Sequence, residues 1–176
     1  MHTRFIALLR GINVGGQKII KMADLKRMFE EAGFLNVVTY IQSGNVVFDA
    51  PHPDAEPLRR EIESMLKTHL TYDVPTLVRP QAEFRKTIAG NPYPALAEGD
   101  VRKVSVTMLE SDPTSATVAT LPTVSGTDEL RVIGRDVYIL HLAYGDTKLN
   151  NNFIEKKLGI RATTRNWATI CKLAEL

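Results

Sequence analysis

Residues 37–49, Val-Val-Thr-Tyr-Ile-Gln-Ser-Gly-Asn-Val-Val-Phe-Asp, decide how the chain is organised. Two runs of β-branched and aromatic residues, 37–42 and 45–49, flank Ser43-Gly44. That pattern predicts a β-hairpin. On its N-terminal side, Met22, Leu25, Met28, Phe29 and Ala32 fall at helical spacing, and Gly33 suits the left-handed stop. Earlier still, residues 4–9 are apolar on both alternating faces, which predicts a strand covered on both sides. On the C-terminal side, Pro51 and Pro53 break the pattern. Residues 54–70 then read as a helix with Leu58, Ile62, Met65 and Leu66 on one side and Asp54 as N-cap. A strand follows over residues 74–79. The order is β-α-β-β-α-β, the ferredoxin-like (split βαβ) arrangement.

The second half partly repeats this order. A short helix at 81–89 and a Pro/Gly-rich connector at 91–99 lead to a strand at 101–109. Asp112-Pro113 reads as N-cap and first helical residue of a short helix ending near Leu121. Residues 130–133 and 137–142 are strands joined by a turn at Gly134-Arg135, and 148–158 is a helix closed by Gly159. The predicted order is β-α-β-β-α. The closing strand is missing, and a terminal helix over 164–174 takes its place. The expected fold is therefore α+β, two ferredoxin-like halves packed together as one compact unit: residues 1–80, a helix and connector at 81–99, and residues 100–176. Strands around Leu8 and Ile139 are apolar on both faces, which fits halves that turn their sheets towards each other or run one into the other.

Composition sets limits. Of 176 residues, 44% are apolar and 24% charged, as in ordinary globular proteins. A formal net charge of +2 does not by itself argue for nucleic acid. The single Cys171 allows no internal disulfide and no multi-cysteine zinc site. The first apolar run is five residues long and is followed at once by Arg10-Gly11, a shape that predicts no secretory signal. No stretch approaches the roughly 20 apolar residues of a membrane span. The expected setting is cytoplasmic, with no membrane partner.

The segments LLRGINVGG (8–16), MADLKRMFEEAGF (22–34), TYIQSGNVVF (39–48) and TRNW (164–167) together resemble a bacterial family of unknown function, whose members open with L-R-G-I-N-V-G-G and close with T-R-N-W. The resemblance spans nearly the whole chain. It implies a two-part α/β fold with ferredoxin-like halves in a cytoplasmic bacterial protein. It supplies no reaction, cofactor or catalytic residue. Ala168 departs from the Asn that the family pattern leads one to expect.

A split βαβ unit brings the ends of its first two strands to one sheet edge. The loop Arg10-Gly11-Ile12-Asn13-Val14-Gly15-Gly16-Gln17-Lys18 should then meet the turn at Gln42, Ser43 and Asn45. Read functionally, this is the rim of a site for a small anionic ligand, phosphorylated or carboxylated. Read structurally, two turns use glycine for positive φ and amides for local hydrogen bonds. The loop is no P-loop, because Gly11-x4-Gly16 is followed by Gln17-Lys18-Ile19, with the lysine displaced and no hydroxyl. Lys148 and Arg165 each follow a threonine that reads as N-cap, and a cation in a first helical turn can complete an anion site. Asn166 and Trp167 accompany Arg165, and Trp167 reads either as core or as a ligand-stacking surface. No residues specify a reaction, so enzymatic activity stays open. No pair of histidines has metal-ligand spacing and no cofactor motif is present, so neither a metal nor a cofactor is expected. His52 stands between prolines, and His141 in an apolar strand reads as a satisfied buried imidazole. RNA binding on a ferredoxin-like sheet needs exposed aromatics on the central strands. Those strands carry Phe5 and Phe48 among aliphatics, which disfavours nucleic acid without excluding charge-driven contact. A structural or partner-binding role without a ligand is the third reading. The oligomeric state is not legible.

Overall fold

The computed structural model describes residues 2–51, 53–93, 102–142 and 147–176. His52, residues 94–99 of the connector and Val101 lie outside the described residues. The chain divides into two compact units, Met1–Phe84 with Leu173–Leu176, and Arg85–Lys172. The division falls after Phe84, and the last four residues belong with the first unit.

The first unit contains β1 (Thr3–Leu9), α1 (Met22–Glu31), β2 (Leu35–Tyr40), β3 (Asn45–Ala50), α2 (Ala55–Leu70) and β4 (Thr76–Pro80). Its antiparallel sheet has the order β2-β3-β1-β4. Phe5, Ala7 and Leu9 of β1 and Val46 and Phe48 of β3 meet Leu25 and Phe29 of α1 and Leu58, Ile62 and Leu66 of α2 in one core. The sequence produces this because apolar side chains alternate on the strands while recurring every three or four residues on the helices. Phe48 sits at the centre, its ring 4.8 Å from Phe34 and 5.5 Å from Phe29. Ile6 and Leu8, on the other face of β1, are buried as well. Asp54 caps α2 by accepting a hydrogen bond from the Glu56 N–H. The hairpin differs from expectation in its turn. Strand β2 stops at Tyr40, and Ile41 and Gln42 belong to a four-residue connection. The reason is Asn45, whose buried carboxamide donates to Tyr40 O and Ser43 Oγ and closes the wider turn.

Helix α3 (Gln81–Ala89) contains the Phe84/Arg85 division. The second unit goes on with β5 (Lys103–Leu109), α4 (Ser115–Val118), β6 (Val124–Ser125), β7 (Asp128–Ile133), β8 (Asp136–His141), α5 (Asn151–Leu158) and β9 (Ala162–Asn166). Helix α6 (Trp167–Glu175) follows. The antiparallel sheet has the order β6-β7-β8-β5-β9. Leu109, Val137, Ile139 and Ala162 of the sheet pack on Ile154 and Leu158 of α5.

Four expectations are corrected here. The closing strand is present: β9 pairs with β5, placing Thr164 opposite Thr107, and the two hydroxyls lie 2.7 Å apart. The terminal helix accordingly begins at Trp167, and its cap is Asn166, which accepts from the Thr169 N–H. Helix α5 starts at Asn151, capped by Asn150 and not by Thr147. An Asn oxygen caps at least as well as a Thr hydroxyl, and the Thr147 hydroxyl is engaged by Asp128 and the Leu149 N–H. Helix α4 is capped by Thr114 and not by Asp112, and is four residues long.

Candidate functional site

The loop between β1 and α1 is a miniature hairpin. Val14 and Gln17 form a bridge, and Gln17 N–H donates to Val14 O at 3.0 Å. Gly15 and Gly16 form the two-residue tip at φ 57° and 74°, the mirror-image turn that only glycine adopts at no steric cost. Asn13, itself at φ 53°, fastens the base. Its Oδ1 accepts from Ile20 N–H at 2.8 Å, and its Nδ2 donates to Ile20 O at 3.0 Å and to Gln42 O at 2.8 Å. The last of these bonds ties the loop to the β2–β3 turn. Leu9 N–H donates to Gly44 O at 2.8 Å at the same junction. Gly44 is confined twice over. Its φ is +75°, and a Cβ there would lie 2.7 Å from Ile12 Cδ1 and 2.8 Å from Leu9 Cβ.

Loop and turn therefore stand side by side, but their polar groups divide into two kinds. Asn13 and Asn45 hold the loop and the turn together from within. Lys18, Gln42 and Ser43 are exposed, and Arg10 is half-buried with its backbone N–H donating to Pro75 O. Lys18 is held at its tip: Nζ donates to Asp73 O at 3.2 Å and lies 5.1 Å from the Tyr72 ring centroid. Helix α1 begins immediately after the loop with Lys21 at the cap position and no side chain capping it.

The remaining candidates belong to the second unit. Lys148 lies two residues ahead of the α5 cap, so the expected cation in a first helical turn is corrected for it. It borders a cavity of about 340 Å³ beside the turn at residues 125–128, Leu142 and Thr147. Arg165 is a strand residue and is likewise corrected. It is buried, and Nη1 donates to Thr163 Oγ1 and to Thr164 O, both at 2.9 Å. Asn166 is exposed and caps α6, while Trp167 is half-buried at the first position of that helix. The structure thus places Arg10, Gly11, Asn13, Gly15, Gly16, Lys18, Gln42, Ser43 and Asn45 in one unit, and Lys148, Arg165, Asn166 and Trp167 in the other.

Sequence reading passed over several engaged polar groups. Arg79 is 2% exposed with Glu83 3.9 Å away, and its signal was a cation inside an apolar strand. Asp136 accepts from the Thr87 hydroxyl at 2.6 Å. Burial pushes the Asp49 carboxyl up, but hydrogen bonds from Asn36 and Arg4 and the Arg4 charge outweigh it and hold the group below its ordinary value. Burial pushes the Tyr93 hydroxyl up to about 12; Arg131 opposes the shift and Glu129 adds to it. His141 is buried. Among the described residues no group of three or more side chains could hold a metal ion. Among them, too, no helix is long and apolar enough to cross a membrane.

A family model described as "Protein of unknown function (DUF1697)" matches residues 2–138. The Thr164–Trp167 segment falls beyond that span. No curated protein sequence matches significantly. The solved structure of the conserved bacterial protein SP0830 from Streptococcus pneumoniae is similar in fold, with a TM-score of 0.73 and 22% identity over 99% of this chain and 98% of that one.

Proposed function

The chain belongs to the DUF1697 family, and on that premise we propose that it binds a small anionic ligand, phosphorylated or carboxylated, at the loop–turn edge of its first unit. The observation that carries this reading is the start of α1. A helix ten residues long opens without a side-chain cap, directly after a glycine-tipped loop that bears Arg10, Lys18 and Lys21. Helix N-termini attract anions through their free N–H groups and partial positive charge. Lys18, Gln42 and Ser43 are the exposed side chains suited to touch the ligand, with Arg10 at the loop's root. Asn13 and Asn45 act beneath them as positioning residues. Lys148, Arg165, Asn166 and Trp167 form a separate group in this reading, with Lys148 at its own cavity.

We also read both units as ferredoxin-like halves of a duplicated bacterial, cytoplasmic protein. The sheet orders β2-β3-β1-β4 and β7-β8-β5-β9 support this, because they correspond strand for strand, with β6 added at one edge. The fold itself names no ligand.

Thermal shift tests the site, since a ligand that binds only the folded chain raises its Tm. Inorganic phosphate, phosphate esters, dicarboxylates and short RNAs serve as probes. The expected result is a shift with an anionic small molecule that is lost in Lys18→Ala and Arg10→Ala and kept in Lys148→Ala. Equal shifts in all four proteins would move the site elsewhere. RNA binding that survives raised salt and discriminates bases would favour the nucleic-acid reading instead.

A further inference from the structure

We propose that β2 is a self-association edge, along which two copies of this chain pair antiparallel about a two-fold axis and join their four-stranded sheets into one of eight strands. The strand order leaves β2 with a neighbour, β3, on one side only. Each sheet has two edges. Strand β4 is buried along most of its length, β6 is two residues long, and β9 is largely buried. Strand β2 is longer than β6 and more open than β4 and β9: Leu35 is 49% and Val38 37% exposed.

Exposed edges in natural proteins are blunted by charge, proline, brevity or a bulge. Here only the bulge is present. The register slips between Leu35 and Val38, with Asn36 at φ 49°, and is regular from Val38 to Tyr40. From Phe34 to Asn45 there is neither a charged residue nor a proline. A strand of this kind is suited to its own copy. Antiparallel self-pairing sets no like charges opposite one another, and a two-fold contact is self-complementary by construction. The neighbouring helix adds to this. Helix α1 packs on β2 and carries both signs, with Asp24, Glu30 and Glu31 beside Lys26 and Arg27. A two-fold axis through the new strand pair runs the two α1 helices antiparallel, so mixed charge meets mixed charge. An uncharged edge offers no electrostatic steering to a foreign charged segment. One strand edge buries less than the roughly 1,200 Å² of a standard interface, so the dimer is weak and concentration-dependent.

Sedimentation equilibrium of the full chain from about 5 to 500 μM covers the affinity range of such a contact. The expected result is a mass that rises from one chain towards two in the wild type. Val38→Lys and Leu35→Lys, both at exposed positions, should each weaken association by about tenfold or more, since each copy then brings a lysine to an otherwise uncharged strand pair, and lysine on an edge strand opposes edge-to-edge pairing. Ile133→Lys, at an exposed apolar residue of β7, should leave it unchanged. Far-UV circular dichroism identifies any variant that fails to fold, and the other edge variant then decides. A wild type that stays monomeric throughout overturns the proposal. So does a dimer that folded Val38→Lys or Leu35→Lys leaves intact, or a monomeric chain whose β2 amides become protected only on adding an unrelated extended peptide.

Discussion

One carboxamide, Asn13, supports the whole loop–turn junction. It makes three hydrogen bonds, to Ile20 N–H, Ile20 O and Gln42 O. Each such bond contributes roughly 0.5–1.5 kcal/mol net, so Asn13→Ala should lower stability by about 2 kcal/mol in urea denaturation. Asn13→Asp should be little better, because it keeps the acceptor and loses both donors. Gly44→Ala combines positive φ with a close approach to Leu9 and Ile12, and should cost more than about 2 kcal/mol by the same assay. Asp49 predicts a pH effect. Its folded pKa is depressed, so its contribution is complete above the unfolded value near 4 and is lost as pH falls through the folded value. Wild type should therefore be the more stable protein at pH 7, and its advantage over Asp49→Asn should shrink steadily below about pH 4. These residues were visible in the sequence as amides, a glycine and an acid in the right segments. Their roles were not, since a side chain's acceptor is set by residues far away, as with Asn13 and Gln42.

Among the elements, two helices are started by an asparagine cap. Asn150 and Asn166 each take a backbone N–H at the third position of their helix. Asn150→Ala and Asn166→Ala should each cost about 1 kcal/mol, measured by thermal or chemical unfolding. If Thr147→Ala, alone of these, destabilised α5, the cap assignment would fail. Local patterning located α1 and α2 well because their apolar residues recur at helical spacing over two or more turns. It failed at residues 161–167. Thr163-Thr164 suits a strand, and Thr164 also suits a cap. What settles the matter is pairing with β5, a non-local contact that no window of neighbouring residues contains. The wider turn after Tyr40 was missed for a similar reason, since it depends on the buried Asn45 side chain.

Across the whole chain, element order was the most legible feature, because the alternation of strand and helix periodicities extends over long segments. The sheet orders make β1 and β3 interior strands of one sheet and β8 and β5 interior strands of the other. Their amides should exchange most slowly in hydrogen exchange, with β2 faster in dilute solution. Less legible was the membership of the C-terminal residues. Gln81 Nε2 donates to Leu173 O at 3.1 Å, and the Arg4 guanidinium donates to Leu176 O at 2.8 and 3.1 Å. The first unit is thus discontinuous in sequence, while the second is a single uninterrupted segment. A ribosome delivers the chain from one end only. The unit that emerges first must wait, with two acceptors still to emerge, until the other has left the tunnel entire. Birth order and completion order are reversed.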